Sequence, residues 1–457
     1  MIRPLWIVFR PTGEGGMQLS RRQVLRLGLG AAASGLLAGC ALDTTGAPGS
    51  QGSGGLVFYS TQLATTAEAE AVRRQILAGF PREVQFVSDS SASKMFDRVR
   101  ADVRAGSSSI ALLGALQGEF ATLAKEGLLR DMTDVVEQLA DRGFTRQYLD
   151  LARIDGRYAF VPWISASYIM AARREALQFL PAGADLQRLT YTQLLDWTRA
   201  IQQATGAPRF GLPAGEKGLL KRFLQGYTYP SFTGGVNTTF ASADAVAMWE
   251  WLRAIWATAN PQSVTYGFMQ EPLLSGEVWV AWDHAVRLVD ALQTRPDDIV
   301  SFPAPTGPKY LGYLPVLGGL SIPRAVADPQ PSIELIRHLT DPARVSTTLR
   351  TVAWFPPQDL ATVPGGLPPG VGQEAETLQR MVGTPGAVAG SLAVGLGGQS
   401  GAYDKVFTDT FRAIVLDNGD VRGTLATQAV ALQGVLDTAK AACWAPDPVG
   451  QGVCRVG

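Results

Sequence analysis

Histidine and cysteine are scarce in this chain, at two and three residues among 457. The two histidines, His284 and His338, leave little room for a catalytic triad or a histidine-based metal centre, and no C-x-x-C pair supplies thiolates. His338 lies within a helical pattern and reads as structural. No G-x-S-x-G elbow, H-E-x-x-H or phosphate-binding loop occurs. GLPAGEKG (Gly211–Gly218) lacks the loop's spacing and its terminal Ser or Thr. Neither a cofactor nor a metal is therefore expected. Charge is also sparse, 18% of residues against about 25% in an average globular protein. The 40 basic residues balance 40 acidic ones, so the basic face that nucleic acid or an anionic membrane requires is missing. The uncharged run Leu27–Gly39 is far shorter than the roughly 20 residues of a membrane-spanning helix.

What is present begins with that run. Arg21-Arg22 precedes it, and Leu37-Ala38-Gly39-Cys40 ends it. A basic start, a short apolar middle and small residues before a cut point mark an export signal. The arginine pair resembles a twin-arginine signal, and Leu-Ala-Gly-Cys resembles the lipobox of bacterial lipoproteins. That resemblance implies acylation of Cys40, an N-terminal lipid in the membrane and an extracytoplasmic location. Residues 1–39 are thus the signal, with Met17 as the expected true start. Residues 40–55, Gly- and Ser-rich, are expected to act as a flexible tether with a reach on the order of 20 Å. Without Met1 to Gly39 the chain holds 35 basic and 39 acidic residues, a net charge of −4. In an oxidising compartment Cys443 and Cys454 are expected to pair in a disulfide tail spanning 443–457.

From Leu56 short apolar runs alternate with amphipathic segments over about 400 residues, which exceeds one hydrophobic core and predicts two α/β domains. LVFYS (Leu56–Ser60), VQFVS (Val84–Ser88) and IALL (Ile110–Leu113) read as strands, each followed by a helix. Thr65 and Glu68 are spaced as a capping box. Three β-α units in succession predict a parallel, doubly wound sheet. Asp155-Gly156 marks a tight turn. VWVAW (Val278–Trp282) reads as a strand running into a helix from Asp283, and residues 356–401, rich in Gly and Pro, read as long surface loops.

Five segments in order resemble the family 1 extracellular solute-binding proteins, receptors of sugar-type ABC importers. They are EGLLRDMTDVV (Glu126–Val136), IDGRYAFVPW (Ile154–Trp163), LTYTQLLDWTRAI (Leu189–Ile201), LLSGEVWVAW (Leu273–Trp282) and FPAPTGPK (Phe302–Lys309) with the following GGLSIP. Two elements depart from the family pattern, Ala171–Arg173 and Gly106–Leu112. The resemblance implies a two-lobed periplasmic-binding-protein-like fold (type II), each lobe a mostly parallel sheet flanked by helices, with hinge strands crossing between lobes. The expected N-terminal lobe is 56–163 plus 303–350, and the C-terminal lobe 164–302 plus 351–442. A monomer is expected, binding a small carbohydrate between the lobes and delivering it to permease subunits.

Strand carboxyl ends of doubly wound sheets face the binding crevice. Applied here, that rule selects Tyr59, Gln62, Asp89, Ser90, Gln117 and Glu119, and, with the second lobe and hinges, Trp163, Tyr229, Trp282, Asp283, Gly318, Gly319 and Trp354. A neutral sugar offers C–H faces to flat rings and hydroxyls to carboxylates and amides. Trp163, Trp282 and Trp354 sit at segment ends beside Pro or Asp, where a ring is expected to stay exposed. Trp197, Trp249 and Trp256, at helical spacing, are expected in the core. Asp283 and Glu119 read equally as helix-start residues, and Gly318-Gly319 as a bulge. A secreted carbohydrate-active enzyme remains an alternative, because paired carboxylates are a spatial property. So does a binding protein for iron, a polyamine or an amino acid.

Overall fold

The computed structural model describes residues 55–359, 366–450 and 452–457. The export signal, Cys40 and nearly all of the tether lie outside the described residues. The strands in chain order are β1 (Leu56–Ser60), β2 (Val84–Ser88), β3 (Leu112–Leu116), β4 (Arg153–Ile154), β5 (Arg157–Tyr158), β6 (Val161–Ala166), β7 (Tyr168–Arg173), β8 (Phe210–Gly211), β9 (Val280–His284), β10 (Ile299–Phe302), β11 (Gly312–Tyr313), β12 (Val316–Ser321) and β13 (Val388–Ala389).

The two large sheets have the orders β2-β1-β3-β12-β6 and β10-β7-β9-β8, and β11 with β13 and β4 with β5 form two-stranded sheets. Strands β1, β2 and β3 are parallel, as the three β-α units predict. Both large sheets are mixed rather than mostly parallel, since β12 runs antiparallel to β3 and β6, and β7 antiparallel to β9 and β10. The chain passes from the first of these sheets to the second where β6 leads into β7 through Ser167 alone. The chain changes sheet again at Leu314–Pro315, and Phe355 pairs with Ser165 near the same place.

Local chemistry sets many element ends. Thr65 and Glu68 exchange the reciprocal bonds of a capping box before the helix Thr66–Ala71. Thr190 caps the helix Tyr191–Thr205, and Gly206 ends it at φ 69°. Asp155 and Gly156, at φ 50° and 82°, turn β4 into β5. Strands β3 and β9 are each displaced two residues later than the apolar runs predict, because pairing to β1 and β7 sets the register.

Among the described residues, no helix is long and apolar enough to cross a membrane. Cys443 and Cys454 form a disulfide. Opening its small loop by reduction is expected to cost about 3 kcal/mol, read as a lower urea midpoint in reductant. An unchanged midpoint would contradict it.

The expected long loop after residue 356 contains the helix Pro369–Val382 instead. Gly370 and Gly372 interrupt its apolar pattern, and burial against Leu292 and Gln293 supplies the stability that propensity lacks. Glu374 on this helix is fully buried, and neither carboxylate oxygen has a partner. Burial, then the negative charge of Asp290, raises its pKa well above the usual range. A raised carboxyl pKa favours the fold at low pH, and that contribution fades as pH climbs past the unfolded value. Glu374→Gln is therefore expected to gain about 2 kcal/mol at pH 7 in urea denaturation, with the gain shrinking toward pH 4. A variant no more stable than the parent at pH 7 would contradict this.

Candidate functional site

Because β1, β2 and β3 are parallel, their carboxyl ends share one edge, and the chain turns to opposite sides of β1 at the β1–β3 boundary. Such a switch point opens a crevice. Thr61 and Glu119 meet there. The Thr61 hydroxyl donates to Glu119 Oε2 at 2.6 Å, and Leu116 N–H donates to the same oxygen at 2.7 Å. Burial raises the Glu119 pKa despite these bonds. The Gln62 amide donates to Thr61 Oγ1, and the Gln117 amide to the Leu151 carbonyl. Asp89 accepts from Lys94 Nζ at 2.9 Å and from Ser91 N–H, which hold its pKa down. Tyr59 is partly buried, which raises its phenol, and Ser90 is exposed.

The second sheet presents the carboxyl end of β9 beside the start of β7, with His284 opposite Tyr168. The Tyr168 ring stacks on Trp282 at 4.8 Å and meets the His284 ring edge-on at 5.0 Å. His284 in turn packs on Trp354, ring centroids 5.6 Å apart. Trp354 precedes Phe355, which pairs with Ser165 close to the carboxyl end of β6, so this residue stands between the ends of the two sheets, its ring on His284. Asp283 is fully buried. It accepts from Met269 N–H and His284 N–H and lies 3.7 Å from Arg287. Burial pushes its carboxyl up to about 7, and burial followed by the Arg287 charge pushes the His284 imidazole down to about 3.

The structure corrects several expectations. Tyr229 is a core residue: its ring stacks on Phe240, its hydroxyl donates to the Phe240 carbonyl and accepts from the Trp249 indole. Gly318 and Gly319 sit mid-strand at a register shift, as the bulge reading has it. A Cβ there would lie 2.8 Å from Ile164 and 2.1 Å from Phe160, so close packing against side chains, not a ligand, requires glycine. Trp163 is 3% and Trp282 0% exposed. Trp163 packs on Phe58, and Trp282 is enclosed by Tyr168, Phe223 and Tyr227. Neither offers a free ring face. Trp354 is also buried, at 7% exposure. Asp283 is fully buried and bonded to backbone N–H groups, while Glu119 holds the start of its own helix.

One property still separates the two tryptophan groups. Trp197 and Trp249, in the core as expected, donate their indole N–H to the Ala176 carbonyl and the Tyr229 hydroxyl, as Trp251 does to the Tyr191 carbonyl, whereas Trp256 is only half-buried, edge-on to Phe411. The N–H groups of Trp163, Trp282 and Trp354 are buried without a partner. Tyr168 and His284 were missed from sequence. Placing β9 two residues later would have put His284 at a strand end.

The strand ends of two helix-flanked sheets thus meet where β6 passes into β7, the kind of place at which small-molecule sites form. Residues 75–361 match the family described as bacterial extracellular solute-binding protein, and the chain belongs to that family. The maltose-bound MalE3 of T. maritima superposes with a TM-score of 0.67 at 16% identity, over 83% of this chain and 99% of that one. The sugar transporter protein of Arthrobacter chlorophenolicus A6 with bound laminaribiose gives 0.65 at 14% identity, over 84% and 100%. UgpB from Mycobacterium tuberculosis, in complex with glycerophosphocholine, gives 0.64 at 18% identity, over 85% and 100%. These similarities establish the two-lobed periplasmic-binding-protein fold. No curated protein matches the sequence.

Proposed function

We propose that this protein is an extracytoplasmic solute-binding lipoprotein that captures a sugar or oligosaccharide in the crevice and delivers it to the permease of an ABC importer. The observation that carries this reading is the convergence of two strand-end edges where β6 passes into β7. There Thr61, Gln62, Gln117 and Glu119 stand on one side and Tyr168, His284 and Trp354 on the other. Amides and hydroxyls suit a polyhydroxylated guest, and the buried Trp354 N–H is a donor in want of an acceptor oxygen. Lys94 is paired with Asp89 and Arg287 with Asp283, which favours a neutral guest over an anionic phosphodiester. Maltose and laminaribiose in similar proteins point the same way.

In this reading the lobes, 56–163 plus 303–350 and 164–302 plus 351–442, close about their connecting strands when ligand touches both. The disulfide tail, 443–457, stays with the second lobe. Acylated Cys40 tethers a single copy to the membrane, and the ligand is released unaltered. Oligosaccharide products formed on incubation would favour the enzyme reading instead.

Trp354→Ala is expected to weaken the cognate saccharide about thirtyfold, roughly 2 kcal/mol, in calorimetric titration, with the circular dichroism spectrum retained. Unchanged affinity in a folded variant would remove Trp354 from the site.

A further inference from the structure

A cavity of about 550 Å³ opens between the helix Arg146–Ala152 and the segment that follows β13. Sites for small molecules have volumes of about 300–1,000 Å³. The helix contributes Arg146, Gln147 and Leu151, the facing segment Gly390 and Ser391, and the disulfide tail Ala445. None of these is a crevice residue. The two spaces nevertheless share a wall, because the Leu151 carbonyl accepts from the Gln117 amide at 3.3 Å. Next to Gln117, a Cβ at Gly118 would lie 3.0 Å from the Ala393 carbonyl, so the segment after β13 runs against the crevice rim.

The walls are held in place. The Gln147 amide donates to the Tyr313 hydroxyl at 2.9 Å, Gly390 N–H to the Tyr313 carbonyl at 2.7 Å, and Ser391 N–H to the Ala445 carbonyl at 2.9 Å. Residues on the helix and on the facing segment thus hang from one tyrosine. The lining combines aliphatic surface from Leu151 and Ala445 with the Ser391 hydroxyl, the Gln147 amide and a rim pair, Arg146 with Asp150 at 3.7 Å. One cation and one anion leave no net charge. A neutral sugar ring fits this chemistry, with C–H groups on the aliphatic wall and hydroxyls on the polar rim.

We propose that this cavity is a second subsite, continuous with the crevice, that takes further units of a linear oligosaccharide. The preferred ligand is then an oligosaccharide rather than a monosaccharide. The proposal rests on the sugar reading above.

Calorimetric titration with glucose, maltose, maltotriose, laminaribiose and laminaritriose tests it on the parent, Ser391→Trp and Arg146→Ala. Ser391→Trp fills the cavity. Arg146 has a side chain 93% exposed, so its removal leaves folding intact. The expected result is a trisaccharide bound about tenfold tighter than glucose by the parent. Ser391→Trp should erase that gain with glucose affinity unchanged, and Arg146→Ala should reduce it. Equal affinity for glucose and trisaccharide overturns the subsite while the sugar reading stands, as does a length preference that survives both variants. Failure of every saccharide to bind the parent overturns the sugar reading, and the subsite with it.

Discussion

Asp447→Ala is expected to lower stability by about 3 kcal/mol or more, because one buried carboxylate ties the C-terminal tail to residues 236–238. Asp447 is 2% exposed. It accepts from the backbone N–H groups of Val236, Asn237 and Thr238, from the Asn237 amide and from the Thr238 hydroxyl. Successive N–H groups turned toward one point form an anion-binding nest. Gly235 permits the approach, since a Cβ there would lie 2.6 Å from Asp447 Oδ1. Alanine would leave these donors buried and unpaired, and that cost exceeds the net worth of the bonds themselves. Urea denaturation reads the effect. A loss below about 1 kcal/mol would mean that water reaches the nest and that the disulfide and the other bonds of the tail hold it without Asp447.

The adjacent residues Asp283 and His284 should give stability opposite dependences on pH. The His284 imidazole is held down to about 3, below its unfolded value near 6.5. Its contribution is whole above pH 6.5 and is lost as pH falls toward 3. The Asp283 carboxyl is pushed up to about 7, so its contribution is whole below its unfolded value and is lost as pH rises to about 7. At 1.36 kcal/mol per unit, each amounts to about 4 to 5 kcal/mol across its window. Where the windows overlap the two slopes nearly cancel. His284→Phe, which keeps a ring against Tyr168 and Trp354, should therefore expose the Asp283 slope, with stability falling from pH 4 to 7 relative to the parent. Asp283→Asn should expose the reverse, stability rising from pH 3 to 6.5. Denaturation curves at stepped pH measure both. Two variants that track the parent throughout would show that both groups titrate normally.

Much of the architecture was legible because local and tertiary signals agree. Capping at Thr65 and Thr190, the Gly206 stop and the Asp155-Gly156 turn are written in short-range chemistry, and β1 and β2 fall where their apolar runs lie. The helix Pro369–Val382 was hidden because glycines weaken its pattern and partners from Ala285–Thr294 stabilise it. The crevice was legible only in part. The strand-end rule selects Gln62, Gln117 and Glu119 from β-α order alone. The expectation of exposed rings fails at Trp163, Trp282 and Trp354 alike, since rings at segment ends in sequence are still covered by Phe58, Tyr168 or His284 in space. His284 and the Gln147–Ser391 cavity depend on register and on contacts across distant segments, which no single stretch of sequence encodes.

Hydrogen–deuterium exchange with and without the saccharide that most raises the melting temperature tests the central claim most directly. The account predicts slowed exchange at both edges together, in residues 61–62 and 116–119 of the first sheet and in 166–168, 284–285 and 354–355 at the second. Slowed exchange confined to one sheet, or to helices remote from the passage of β6 into β7, would contradict it.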